Sequence, residues 1–252
     1  MFDWIDEIFL WCMLAGFLAQ LVDGALGMGY GIVSATFLLN FNIPLVSISS
    51  SIHSSEIFTS AASGYSHYKF GNVDKKLFKK LVIPGVLGAI LGAMALCLLG
   101  TDFERFAKPI MAAYILFLGG KYIFMFFKKV FLTKEIQHIG RLAGIGGFLD
   151  SFGGGGWGPL VTTTLLRTSH DPKAIIGSVS LTEFFVTFFS ALTFFMFLGL
   201  QHYTEILGLI AGGVIAAPLG AKLAGKLNTR WSYLFIGILS SIWSLNVLLK
   251  SI

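Results

Sequence analysis

Four of the thirteen acidic residues in this chain stand inside segments that otherwise read as membrane-spanning, and they form two matched pairs. Asp23 and Asp150 are 127 positions apart, and so are Glu56 and Glu183. A carboxyl at bilayer depth costs several kcal/mol, so such residues are rare and face a polar pathway or a partner. Carboxyls in that setting can carry protons or hold buried backbone donors. The other nine acids (Asp3, Asp6, Glu7, Asp74, Asp102, Glu104, Glu135, Asp171, Glu205) fall at the N-terminus or in connections. Two buried pairs in register imply an internally duplicated membrane protein whose halves meet around something polar.

The same shift aligns the residues around each aspartate. Asp23-Gly24-Ala25-Leu26-Gly27-Met28-Gly29-Tyr30-Gly31 falls on Asp150-Ser151-Phe152-Gly153-Gly154-Gly155-Gly156-Trp157-Gly158. Thr36, Leu38 and Leu39 match Thr163, Leu165 and Leu166, while Phe58 and Ser63 match Phe185 and Ser190. With one inserted residue, Gly85, Leu91, Gly92 and Ala93 match Gly213, Leu219, Gly220 and Ala221. One transmembrane domain, 1–252, therefore contains repeat one at about 8–127 and repeat two at about 140–250. A basic cytoplasmic loop, 128–141, joins them.

Composition agrees. The chain is 55% apolar and 12% charged, with 25 Phe and a mean hydropathy of +0.80, outside the range of a soluble domain. Runs of about 20 apolar residues, enough to cross the hydrocarbon, lie at roughly 45–66, 78–99, 107–127, 174–198, 206–223 and 231–249. Two glycine-interrupted stretches, 8–40 and 143–166, stand apart. The net charge of +5 does not mark a nucleic-acid binder, because the basic residues cluster in short loops between spans. The acidic start (Asp3, Asp6, Glu7) is unlike a signal peptide. Cys12 and Cys97 lie in apolar runs with no CxxC spacing and read as buried small residues.

Lysine and arginine set the topology. Lys69, Lys75, Lys76, Lys79 and Lys80 place the loop 69–80 in the cytoplasm, and Lys128, Lys129, Lys134 and Arg141 do the same for 128–141. If each interrupted stretch crosses once, seven of the eighteen basic residues lie outside; if each dips in and returns, only Arg105, Lys108 and Lys250 do. The second arrangement obeys the positive-inside rule better. It gives an all-α membrane protein of two inverted-topology repeats, each a Gly-broken helical hairpin followed by three transmembrane helices, with both termini outside. Many secondary transporters are built this way, with the substrate near the midplane.

Bare glycine backbone at membrane depth is tolerated only where protein buries it or where it lines a cavity. A helix restarting after such a break presents unpaired N–H groups and the positive end of its dipole, which suits a small anion. The candidate substrate-binding residues are Gly27, Gly29, Tyr30, Gly31 and His53 in repeat one, with Gly154, Gly156, Trp157 and Gly158 in repeat two. Tyr30 and Trp157 wall the site or pack the core.

The helix after each hairpin carries a polar face, Ser49, His53, Glu56, Ser60 and Ser63, mirrored by Ser180, Glu183, Thr187 and Ser190. Between Ser47 and Ser63 there are nine Ser or Thr, many for a lipid-facing helix. Glu56 and Glu183 either exchange protons or brace the hairpin tips. Asp23 and Asp150 read as caps for the restarting helices or as proton carriers. His53 is the asymmetric element, since Ser180 stands in its place in the second half. His67, His138, His170 and His202 read as loop-proximal, and no metal or cofactor is expected.

Gly153, Gly155 and Gly158 satisfy GxGxxG, yet no strand precedes them, so a dinucleotide site is excluded. Nothing of the form GxxxxGK[ST], HExxH or GxSxG occurs, which argues against an ATP-driven carrier and against an intramembrane enzyme. Gly88 with Gly92, and Gly208 with Gly212, have GxxxG spacing for helix packing.

With Asp-Gly-x-x-Gly-x-Gly-Tyr-Gly from Asp23, Ser-Ile-His-Ser-Ser-Glu-Ile-Phe-Thr from Ser51, and Gly71-Asn72-Val73-Asp74, the chain resembles the TauE/SafE family of sulfite exporters. The second half agrees through Asp150 to Pro159, Asp171-Pro172, and Gly177-Ser178-Val179 leading to Glu183. The resemblance covers about 14–225. It implies a plasma-membrane (inner-membrane) secondary carrier of sulfite or an organosulfonate such as sulfoacetate, coupled to protons. A passive anion channel using the same residues is the alternative reading, and a scaffold fails to account for the duplicated acids. The partners implied are the small sulfur anion, protons and the lipid bilayer, with no nucleic acid. Pro159 departs from the symmetry, since Ile32 stands opposite it.

Overall fold

A computed structural model describes residues 7–39, 43–99, 104–127, 136–168, 171–199 and 202–251, and all regular structure among them is helical. The first half contains α1 (Glu7–Leu26), α2 (Tyr30–Leu38), α3 (Leu45–Lys69), α4 (Lys75–Leu99) and α5 (Glu104–Phe127). The second contains α6 (Ile139–Gly153), a π-helical turn (Gly158–Thr162) running into α7 (Thr163–Leu165), α8 (Pro172–Leu198), α9 (Tyr203–Leu223) and α10 (Thr229–Ser251). Most of the proposed joining loop, and His170, lie outside the described residues.

Among the described residues, six helices are long and apolar enough to cross a bilayer: α1, α4, α5, α8, α9 and α10. Five coincide with the spans read from the sequence. The sixth differs, because α1 qualifies and α3 does not. α1 has 20 residues, about 30 Å of helix and sufficient to cross alone, so the first glycine-broken stretch has one long arm and one nine-residue arm. α3 is as long as α4 but carries the hydroxyl-rich face, and Ser49, His53, Glu56, Ser60 and Ser63 on that face are all buried by neighbouring helices.

The breaks follow from glycine. Gly27 and Gly154 have φ of 68° and 66° and Gly29 has 130°, backbone states a side chain disfavours. Gly154 ends α6 as a left-handed cap. Elsewhere Asp171 starts α8, its carboxylate accepting from the Ala174 amide at 3.2 Å with Pro172 in the first turn.

Glycines also set the helix pairs. α1 runs parallel to α9: a Cβ on Gly212 would lie 1.9 Å from Met13 O, and one on Gly24 would lie 3.2 Å from Gly220 Cα. α4 runs parallel to α6 in the same manner, with Gly88 against Gly144 and Gly92 against Phe148. Both GxxxG pairs thus serve close packing. The remaining contacts join equivalent helices. In α3 and α8, Ser60 Oγ and Thr187 Oγ1, 127 residues apart, meet at 3.3 Å. Gly64 meets Leu181 on one side of that contact and His53 meets Phe194 on the other, so α3 and α8 are antiparallel. α5 and α10 are antiparallel too, with Gly119 near Gly237 and Ser241, and Arg230 Nε donating to Phe126 O.

Large apolar side chains such as Leu98, Phe117, Phe124, Met196 and Leu249 point outward, as a lipid-facing surface requires. Cys12 is buried, Cys97 is half-buried, and neither is in a disulfide among the described residues.

Candidate functional site

The two glycine breaks cross each other at the centre of the molecule. A Cβ on Gly31 would sit 2.7 Å from Gly154 O and 2.8 Å from Gly155 Cα, and one on Gly158 would sit 2.6 Å from Met28 Cα. Thr162 Oγ1 donates to Gly27 O at 2.5 Å. Reading along the chain, Gly27, Met28 and Gly31 meet Thr162, Gly158 and Gly154 in turn, so the two segments run antiparallel, as their flanking helices do. Gly27, Gly29, Gly31, Gly154, Gly156 and Gly158 are all buried or nearly so. The contact leaves no room for a methyl group.

Asp150 caps the second restart. Its Oδ1 accepts from the amides of Gly156 at 2.7 Å and Trp157 at 2.9 Å. Asp23 Oδ1 reaches the Tyr30 amide at 3.5 Å, and its own carbonyl takes the Gly27 amide. Asp150 thus accepts the free amides of its tip, while Asp23 makes one longer contact of the same kind. The Gly27 and Gly156 amides, two of the expected anion donors, are already engaged here.

Glu56 and Glu183 accept no tip amide among the described residues; each meets the aspartate of the opposite half instead. Asp23 and Glu183 lie within interaction range of each other, and a hydrogen bond between two carboxyls would need one proton between them. Glu56 lies with His53 beside Asp150, the ligand atoms of all three falling within 4.8 Å of one another. His53 is fully buried, with Nε2 3.4 Å from Asp150 Oδ2 and Nδ1 2.8 Å from Ser49 O. Ser49 Oγ donates to Ser151 O at 2.7 Å, and Ser151 bonds Ser190. The polar faces of α3 and α8 thus converge on the crossed tips.

Tyr30 and Trp157 are both buried, but their surroundings differ. Tyr30 Oη pairs with Ser55 Oγ at 2.9 Å. Trp157 is wedged beside Gly85, Gly146 and Val186 in an apolar cluster, with Nε1 lacking a partner among the described residues. Ser180 Oγ, which replaces His53 in the second half, is also buried without one.

Three polar residues were not singled out from the sequence. Lys121, inside the α5 span, donates from Nζ to Pro159 O at 2.7 Å, in the π turn next to the second tip. Its signal was a lone lysine in an apolar run. Gln20 and Tyr122 are buried, with Gln20 Nε2 and Tyr122 Oη unpartnered among the described residues. His67, read as loop-proximal, is buried and donates from Nε2 to Gly24 O at 2.8 Å, so it anchors the end of α1.

The family model described as "Sulfite exporter TauE/SafE" matches residues 12–247. The chain belongs to this family. It is 41% identical over 232 residues to "Probable membrane transporter protein YtnM" of Bacillus subtilis (strain 168), covering 88% of this chain and 76% of that one. It is 23% identical over 263 residues to a "Probable membrane transporter protein" of Haemophilus influenzae (strain ATCC 51907 / DSM 11121 / KW20 / Rd), covering 96% and 98% of the two chains. "Probable membrane transporter protein YdhB" of Bacillus subtilis (strain 168) is 29% identical over 132 residues, about half of each chain. No solved structure matches. Its six apolar helices and transporter relatives make it a multi-pass membrane transporter.

Proposed function

We propose that this protein exports a small sulfur-containing anion, sulfite or an organosulfonate such as sulfoacetate, from the cytoplasm by a mechanism coupled to protons. It sits in the plasma (inner) membrane with both termini outside, and its two halves are inverted repeats. The observation carrying this reading is the antiparallel crossing of the two glycine tips, repeated by the antiparallel pairs α3 with α8 and α5 with α10. Such crossings are what an in-plane two-fold relation between the halves would produce, and under that relation the tips would lie where alternating-access carriers hold substrate.

The anion binds when the tips part. Opening frees the backbone around Gly29, Gly31, Gly154 and Gly158 and exposes the restarting helices, while Tyr30 and Trp157 bound the space. The four carboxyls nearby oppose an anion unless their charge is balanced. A proton taken up between Asp23 and Glu183 would supply part of that balance, so proton and anion occupancy would favour one another. A passive pore is the weaker reading, because closed tips gate the path and leave a state that a carrier needs and a channel does not.

The test is efflux of labelled sulfite from proteoliposomes under an imposed pH gradient. Uphill movement driven by the gradient supports a coupled carrier. Flux that only relaxes to equilibrium supports the pore, and no flux with sulfite, thiosulfate or sulfoacetate removes the reading.

A further inference from the structure

We infer that His53, Glu56 and Asp150 form a binding site for one first-row divalent metal ion of the zinc type. The argument starts with the histidine. A carbonyl oxygen only accepts, so the 2.8 Å contact to Ser49 O puts the ring hydrogen on Nδ1. Nε2 then faces Asp150 Oδ2 at 3.4 Å, and in the neutral ring it would offer its lone pair there. Metal-bound histidines are commonly held this way, the far N–H donating to a backbone carbonyl that fixes tautomer and orientation.

Asp150 is equally constrained. Its Oδ1 takes two amides of the second tip, which turns Oδ2 toward the histidine. Glu56 stands three residues after His53 on the same face of α3, the spacing that brings two side chains to one point. It is 3% exposed, and its carboxyl takes no hydrogen bond from the described residues. The charged groups acting on it are Asp150 and Asp23, both acids. Three potential ligand groups thus converge in a buried space that no Lys or Arg side chain enters among the described residues.

A tetrahedral ion held at about 2.1 Å from each ligand spaces the ligand atoms about 3.4 Å apart. The His53–Asp150 separation already has that length. Glu56 closes the rest by side-chain rotation, because all three ligand atoms lie within 4.8 Å of one another. One imidazole nitrogen and two carboxylates form a borderline set suited to zinc, cobalt or manganese rather than calcium. A dication neutralises both carboxylates and leaves a coordination position open for water or an oxyanion. In the second half Ser180 replaces His53, so the equivalent cluster lacks an imidazole ligand. One site per chain is therefore expected.

The inference does not need the transport reading, since metal binding is measured with no anion present. Purified full-length protein is stripped with chelator, loaded with Zn²⁺ or Co²⁺, desalted and assayed for metal content, and the cobalt form is read by visible absorption. One equivalent and an intense tetrahedral cobalt band are expected. His53→Ser copies the residue of the second half and so suits the fold; it and Glu56→Gln should lower affinity tenfold or more, while Gly120→Ala, where a Cβ meets nothing within 4 Å, should leave binding unchanged. Thermal unfolding of each metal-free variant monitors folding. The site is refuted by a wild-type protein that retains no metal, or by a His53→Ser protein that keeps the cobalt band.

Discussion

Gly31→Ala isolates the crossed tips as one packing event. The added methyl would lie 2.7 Å from Gly154 O and 2.8 Å from Gly155 Cα, whereas ordinary contact begins near 3.4 Å. Both neighbours are backbone, so neither can swing aside and the segments must separate by more than half an ångström. Overpacking of this kind costs about 1–3 kcal/mol. Gly31 is second in α2 and has no left-handed backbone to lose, so a small gain in helix propensity offsets part of the clash. A net destabilisation of about 1–2 kcal/mol corresponds to about a 5- to 30-fold loss of the closed-tip state. Gly120→Ala is the control, because a Cβ there meets nothing within 4 Å and only the propensity gain remains. Thermal unfolding in detergent and proteoliposome flux are measured for both. If Gly31→Ala unfolds and transports like Gly120→Ala, the tips do not close on each other in the working protein.

In chelator-treated protein, Asp150→Ala strands the Gly156 and Trp157 amides, at about 1–3 kcal/mol each; Asp150→Asn keeps an acceptor oxygen and should unfold measurably later. Equal losses in the two variants would remove the cap reading. Thr162→Val deletes the hydroxyl that serves Gly27 O and should cost about 1 kcal/mol. Thr163→Val should cost less, because Lys121 still donates to the Pro159 carbonyl that Thr163 also serves; the reverse order in thermal unfolding would contradict this assignment. For topology, Lys173→Cys should react with an impermeant maleimide from the cytoplasmic face, and labelling from outside would restore eight single crossings.

The sequence carried the fold where one force decided the outcome. The runs at 78–99, 107–127, 174–198, 206–223 and 231–249 became α4, α5, α8, α9 and α10, because burying that much apolar surface in lipid leaves a helix as the only backbone solution. Hydropathy gave the wrong emphasis on α1 and α3. It scored Glu7–Leu26 as part of a broken stretch although the helix is continuous to Leu26, and it took residues 45–66 for a lipid-spanning run although protein covers their hydroxyls. The candidate site was legible as types and register: Asp23, Asp150, Glu56, Glu183 and His53 all reach the centre. Pairing was not legible. Nothing in a one-dimensional shift says that Asp150 meets His53 rather than Glu183, and a buried His67 on the Gly24 carbonyl gives no periodic signal.

The pairing nevertheless has a simple cause. When two equivalent segments cross antiparallel, whatever one tip carries must contact the other half's helix, so Asp23 meets Glu183 of α8 while Asp150 meets His53 and Glu56 of α3. Each half then needs the other to satisfy its buried carboxyls, and parting the tips breaks contacts in both. The cost of opening is thereby tied to whatever cation each carboxyl pair holds. Ser180 in place of the histidine makes the two ties unequal: one side pairs two carboxyls, the other adds an imidazole to them. An exactly symmetric pair would release both together. Under the proposed alternating access, unequal ties would let the sides open one at a time, and Ser180→His should erode that difference. Transport by Ser180→His at the wild-type rate, in protein folded as judged by thermal unfolding, would show that the asymmetry of the two carboxyl sites has no part in the cycle.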